Sequence, residues 1–176
     1  MRWFVADKGY VNFLSSIDQK VEQIDYGDKL KPYFGIVLEI NNHNYYLPVS
    51  SAKEKHKNMK NSKDFQKICD KDTGELIAVI NINNMIPIPS QYVIKLNYDQ
   101  VDHYRTFESD LAKSQYIDLL RKELDIITSL SDRIKENALY VYEHFKQYPN
   151  DRLSSRCCNF VLLEEKSKEY PIECPK

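Results

Sequence analysis

The chain has 176 residues, 42% of them hydrophobic, which suffices for one domain with its own core. Four glycines, seven prolines and no internal repeat leave little room for low-complexity linkers. A net charge of −1 excludes a uniformly basic surface that holds nucleic acid by bulk charge, so any such role must rest on a local patch.

The first residues, MRWFVADK, break into charge too soon for a secretory signal, and no apolar run approaches membrane-spanning length. A reducing cytoplasm is the expected setting. Strands are expected over residues 3–6, 35–40, 43–48, 76–80, 85–88 and 93–95, with Asn41-Asn42 as the turn between the second and third. Gly9 reads as a break after the first strand, followed by a short helix over residues 10–17. Residues 108–148 turn helical. Ile127, Leu130, Ile134, Ala138, Val141 and Phe145 recur at three- and four-residue steps and line one buried face, with Ser131 as the cap of a second helix and Pro149-Asn150 as its end. The apolar segment 160–163 is expected to return to the sheet. The layout is α+β, strands first and helices second.

Chemistry concentrates after the third strand. Ser50, Ser51, Lys53, Lys55, His56 and Lys57 place hydroxyls, ammonium groups and an imidazole in one loop at a strand end. RNA carries its own nucleophile, the 2′-hydroxyl. A nuclease therefore has to align it, remove its proton, stabilise charge on phosphorus and protonate the leaving oxygen, and Ser and Lys can do this without a metal. The competing reading of Ser-Ser-x-Lys is a helix N-cap followed by a solvated turn. Lys53, Lys55, Lys57, Lys60, Lys63 and Lys67 form a basic stretch opposed only by Glu54 and Asp64, either a phosphate-binding patch or a solvated surface. Asp99, Asp102, Glu108, Asp110, Asp118, Glu123 and Asp125 weight the following region acidic. Cys69, Cys157, Cys158 and Cys174 lack Cys-x-x-Cys spacing and the four histidines are scattered, so no metal site is legible, and adjacent Cys157 and Cys158 read as packing residues. Most of the thirteen tyrosines belong in the core, with a few free to stack on bases.

Four stretches in order along the chain, FGIVLEI at 34–40, LPVSSAK at 47–53, NMIPI at 84–88 and CNFVLLEEK at 158–166, resemble the ToxN/AbiQ family of endoribonuclease toxins from type III toxin–antitoxin systems. The resemblance implies a single toxin domain over residues 1–176, built on a strongly bent antiparallel sheet like that of Kid and MazF with added helices, including a long C-terminal helical pair. It implies metal-independent cleavage of cellular or phage RNA to a 2′,3′-cyclic phosphate and a 5′-hydroxyl, with no cofactor. It also implies an RNA antitoxin, a repeat whose pseudoknot units close with the toxin into a cyclic assembly. Residue by residue, the active-site loop maps onto Ser50, Ser51 and Lys53, with Ala52 where the family usually has Pro. A family Tyr and Lys ahead of the Gly-containing strand map onto Tyr26 and Lys31, the spacing being one residue longer than the family's and Lys29 being a rival for Lys31. Ser51 is expected to bind the 2′-hydroxyl or a phosphate oxygen, and Lys53 to stabilise charge on phosphorus. Ser50, Lys31 and Tyr26 are expected to position the backbone, with Tyr26 a candidate proton donor. Lys55, His56, Lys57 and Lys60 are expected to contact RNA, and His56 is also a candidate base on a stretch where an exposed, non-catalytic imidazole is the commoner outcome. Two other readings stay open: a non-catalytic RNA-binding module, and a toxin-like domain acting on a protein target.

Overall fold

A computed structural model describes residues 1–25, 27 and 29–171. Seven strands form a mixed-order antiparallel sheet: β1 (Arg2–Ala6), β2 (Tyr33–Ile40), β3 (His43–Ser51), β4 (Phe65–Cys69), β5 (Leu76–Asn81), β6 (Ile86–Pro87) and β7 (Val93–Lys95). The order is β4-β5-β3-β2-β1-β7, with β6 paired to β3 off this path. The long β3 strand is shared. Its first half pairs with β2 and β6, and its last three residues with β5, Ser50 facing Val79 and Ser51 facing Ala78.

Local chemistry explains most boundaries. Asn41 and Asn42 both take positive φ, 51° and 61°, the requirement of a two-residue hairpin turn that Asn tolerates. Helix α1 (Lys8–Ile17) begins earlier than the composition implied, because Asp7 is its N-cap and accepts the Tyr10 N–H at 2.7 Å. Gly9 is therefore a helical residue and not a break. Helix α2 (Glu54–Lys57) is a single turn. Helix α3 (Asp110–Ser129) is capped by the Ser109 hydroxyl, and α4 (Ser131–Gln147) follows after Leu130, which occupies the cap position. Ser131 is thus the first helical residue, not the expected cap. Ile127, Ile134, Ala138 and Val141 are fully buried, with Leu130 and Phe145 packed at the edge of the same core.

Two expectations are corrected. Residues 160–163 do not rejoin the sheet; they open helix α5 (Phe160–Lys166), where the Asn159 side chain accepts the Leu162 N–H at 3.1 Å. A four-residue apolar run cannot distinguish a buried strand from a buried helical turn, and the cap decides it. Strand β4 lay hidden in the lysine-rich stretch, with Phe65, Gln66 and Ile68 buried.

Helix α5 is fixed by a buried polar knot. The hydroxyls of Tyr45 and Tyr142 both donate to Glu164 Oε1 at 2.8 Å, while Asn41 Nδ2 donates to the Tyr142 hydroxyl at 2.8 Å. Cys157 and Cys158 are buried free thiols, as small packing residues should be. Burial pushes the Cys157 thiol up to about 12. Gly35 in β2 lies directly against the ring of buried Tyr46, and a Cβ there would enter that ring. Helix α3 is held to the sheet at two points. The Trp3 indole N–H donates to the Leu120 carbonyl at 2.8 Å, and Lys122 is paired with Asp70 beside β4.

Candidate active site

Three parts of the chain converge at the end of β3. Tyr33 pairs with Pro48, and the Val49 N–H donates to the Pro32 carbonyl at 3.1 Å. Extending that antiparallel register outward sets Lys31 opposite Ser50. From the other side, α3 lays Tyr116, Leu120 and Glu123 over the same strand end, at three- and four-residue steps on one helical face. Between them is a cleft of about 350 Å³ whose walls include Lys31, Ser50, Ser51, Lys53, Arg105 and Glu123.

Four of the five expected catalytic residues are thus brought together. The fifth, Tyr26, lies outside the described residues. Lys29 lines the cleft as well, so both rivals reach it. The N-cap reading of the serines fails, because Ser50 and Ser51 are strand residues and Lys53 holds the cap position of α2. Neither serine hydroxyl is engaged by a hydrogen bond among the described residues, and Lys53 has no ion pair there. Both serines and Lys53 are open to an incoming ligand.

Lys31 is the perturbed group. Its side chain is only 20% exposed, and burial together with the Lys53 ammonium pushes its pKa down to about 8. Its contact is the Glu22 carboxylate, also on the cleft wall. A phosphate entering beside Lys31 competes with that carboxylate.

His56 departs from expectation. It is 6% exposed, so it is neither the free imidazole nor the surface RNA contact that its charged neighbourhood implied. Its Nδ1 accepts the Lys53 N–H at 3.0 Å, which puts the proton of the neutral ring on Nε2. Burial, then Lys55, Lys53 and Lys67, lower its pKa and favour that neutral form. His56 therefore fixes the backbone from which Lys53 projects. Replacing it with Ala is expected to slow RNA cleavage about 10-fold through a displaced Lys53. His56→Asn, whose Oδ1 can accept the same N–H, is expected to retain most activity; equal losses in both variants, read from single-turnover rates, would contradict this role. Lys55, Lys57 and Lys60 are exposed beyond the cleft, Lys57 paired with Glu54 at 2.8 Å.

Sequence reasoning missed Arg105, Tyr116, Glu22 and Glu123. The Arg105 guanidinium lies over the Tyr116 ring at 4.4 Å from its centroid, with the Phe107 ring centroid at 5.5 Å. Glu123 is one of the acids that weight residues 99–125, yet it is buried and its pKa is raised by burial to about 7. The available signal was its place in the Tyr116, Leu120, Ile127 helical stripe, where an acidic residue interrupts an apolar face. Among the described residues no three His, Cys, Asp or Glu side chains converge as a metal site, and no helix is long and apolar enough to cross a membrane.

The family model described as toxin ToxN of type III toxin–antitoxin systems matches residues 2–168. Endoribonuclease ToxN of Bacillus thuringiensis subsp. kurstaki is 29% identical over 166 residues, spanning 92% of this chain and 79% of its own. A solved chain described by the words "A processed non-coding RNA regulates a bacterial antiviral system" superposes with a TM-score of 0.80 at 28% identity, covering 98% of this chain and 100% of that one. Another, described by "selective toxin inhibition by a non-coding RNA pseudoknot", superposes with a TM-score of 0.79 at 26% identity over 96% of each chain. With the family match running through the strand end, the cleft and the helices that wall it, the chain belongs to the ToxN family of type III toxin–antitoxin toxins.

Proposed function

We propose that this chain is a single-domain endoribonuclease toxin that cuts RNA in the cleft of Lys31, Ser50, Ser51 and Lys53. The observation that carries the reading is the convergence of two unengaged hydroxyls and two ammonium groups on one cleft walled by strand and helix. The substrate 2′-hydroxyl loses its proton and attacks the adjacent phosphorus. The bond from phosphorus to O5′ breaks, O5′ takes up a proton, and the products are a 2′,3′-cyclic phosphate and a 5′-hydroxyl. Because the nucleophile belongs to the RNA, no metal-activated water is required. Ser51 holds the 2′-hydroxyl or a non-bridging oxygen in line, with Ser50 supporting it from the facing position. Lys53 and protonated Lys31 carry the charge that grows on phosphorus. Tyr26 belongs to the same reading as a candidate proton donor.

The exposed Lys55, Lys57 and Lys60 hold RNA phosphates outside the cleft. Since a relative of this fold is described as inhibited by an RNA pseudoknot, the inhibitor of this chain is taken to be a repeated RNA of that kind, its processed units closing with the toxin into a cyclic assembly. The Kid and MazF likeness of the sheet core and a cytoplasmic site of action, against cellular or phage RNA, complete the reading. It is tested by incubating the purified protein with a mixed-sequence RNA in excess EDTA and mapping the new ends. Discrete 5′-hydroxyl ends support it, and intact RNA sinks it.

A further inference from the structure

One group in the cleft has no part in that reaction. Glu123 is 6% exposed and lines the cleft, yet its carboxyl has no hydrogen bond or ion pair among the described residues. Its oxygens are not sealed inside the protein either, so they open into the cleft. An unpaired buried carboxyl costs stability, and a fold retains it only where something else uses it.

The surroundings indicate what it faces. A carboxylate repels phosphate, and the ammonium groups of Lys29, Lys31 and Lys53 make no ion pair with Glu123. On its own helix its neighbour is Tyr116, whose ring carries the Arg105 guanidinium, and Val49 and Leu120 add apolar wall. Beside Glu123 the wall is thus aromatic and apolar, while the ammonium groups and serines occupy the rest of the cleft; an aromatic and apolar patch with a polar group at its edge is the form of a base-binding site.

We propose that Glu123 reads the edge of an amino-bearing base in a nucleotide adjoining the scissile phosphate, setting where the toxin cuts and not how fast the bond breaks. This rests on the cleft being the RNA-cleaving site. Adenine, cytosine and guanine each offer an exocyclic amine to a carboxyl oxygen, and uracil does not. The protonated acid, with one donor and one acceptor, also fits the N3–H and carbonyl of uracil and discriminates weakly; the carboxylate, with acceptors only, selects the amine edges and above all the two adjacent N–H donors of guanine. Burial places the switch between these forms near neutrality. The charged and titratable groups around it are Tyr116 and Arg105 on its own side, and Glu22, Lys29, Lys31 and Lys53 across the cleft.

The test is kcat/KM on short single-stranded RNAs that differ only in the base on either side of the cut, for wild type, Glu123→Gln and Glu123→Leu, at about pH 6 and about pH 8. Ratios between substrates cancel the titration of Lys31. At about pH 8 wild type is expected to favour amino-bearing bases over uracil by about 10- to 100-fold at one flanking position, guanine most, and to lose most of that preference at about pH 6. The amide of Glu123→Gln keeps a donor and an acceptor at every pH, so its ratio should stay at the weak value of wild type at about pH 6 and become independent of pH. Glu123→Leu should bring the ratio near one at both pH values, and melt a few degrees higher because the buried carboxyl is gone. A ratio unchanged in Glu123→Leu, or an equal loss on every substrate, overturns the assignment. Should the Leu variant not fold, a Glu123→Gln ratio that still shifts with pH overturns it as well. Wild type inert on every RNA sinks the nuclease reading instead.

Discussion

Ser51→Ala is expected to fold normally, bind RNA and cut it at least about 10²-fold more slowly than wild type. Ser51 is exposed, ends β3 and donates no hydrogen bond among the described residues, so losing its hydroxyl should change stability by under about 0.5 kcal/mol. In the proposed reaction, what disappears is the hydrogen bond that holds the attacking and leaving oxygens in line. Lys53→Met keeps most of the aliphatic stem and removes the charge; its expected loss is of similar size, about 10²- to 10³-fold. Since both groups act on one phosphate, the double variant should fall little further than the worse single variant. Single-turnover cleavage in EDTA, end mapping and anisotropy with a labelled RNA measure all three. Variants that cut as fast as wild type would reduce the strand end to a binding surface; a wild type that cuts nothing, with Lys53→Met weakening its binding to RNA, would favour the RNA-binding module.

Lys31 gives the second large effect. With its pKa near 8 and the charge-stabilising role proposed for it, the active form is the protonated one, so cleavage should fall as pH rises through about 8, approaching tenfold per unit above it. Stability moves the other way. The folded state holds Lys31 below its ordinary value of 10.5, so folding disfavours the bound proton. The penalty is fully present below about 8 and fades as pH rises towards 10.5, a gain on the order of 1–3 kcal/mol. Declining activity in a protein that melts higher separates titration of the site from unfolding. Lys31→Arg, charged throughout, should carry activity across the window. An activity that climbs through about 8 would instead make Lys31 a base.

How much of this was legible followed from how local each feature is. The Asn41-Asn42 hairpin and the α4 stripe are set by neighbours in sequence, and both were readable there, whereas Ser50 and Ser51, expected in a loop after residue 48, close strand β3 because β5 pairs with them. Segment 160–163 was misread because four apolar residues carry no period, although Asn159 offered the cap. The cleft's far wall was not readable at all. Glu123 enters it only because Trp3 and Asp70, more than fifty residues away, hold α3 against the sheet. His56 was misjudged for a related reason: a charged neighbourhood in sequence says nothing of Phe65, whose ring lies 5.9 Å from the imidazole.

Gly35 has a bearing on heredity as well as on packing. Every missense change of a glycine codon adds a Cβ, and here that carbon would run into Tyr46 and shift β2, with Lys31 just ahead of it, relative to Ser50 and Ser51. For a gene whose product poisons the cell that makes it, such a codon is a ready exit. Colonies that survive unchecked expression should therefore carry lesions there, where no reacting group is found, alongside those in the cleft itself.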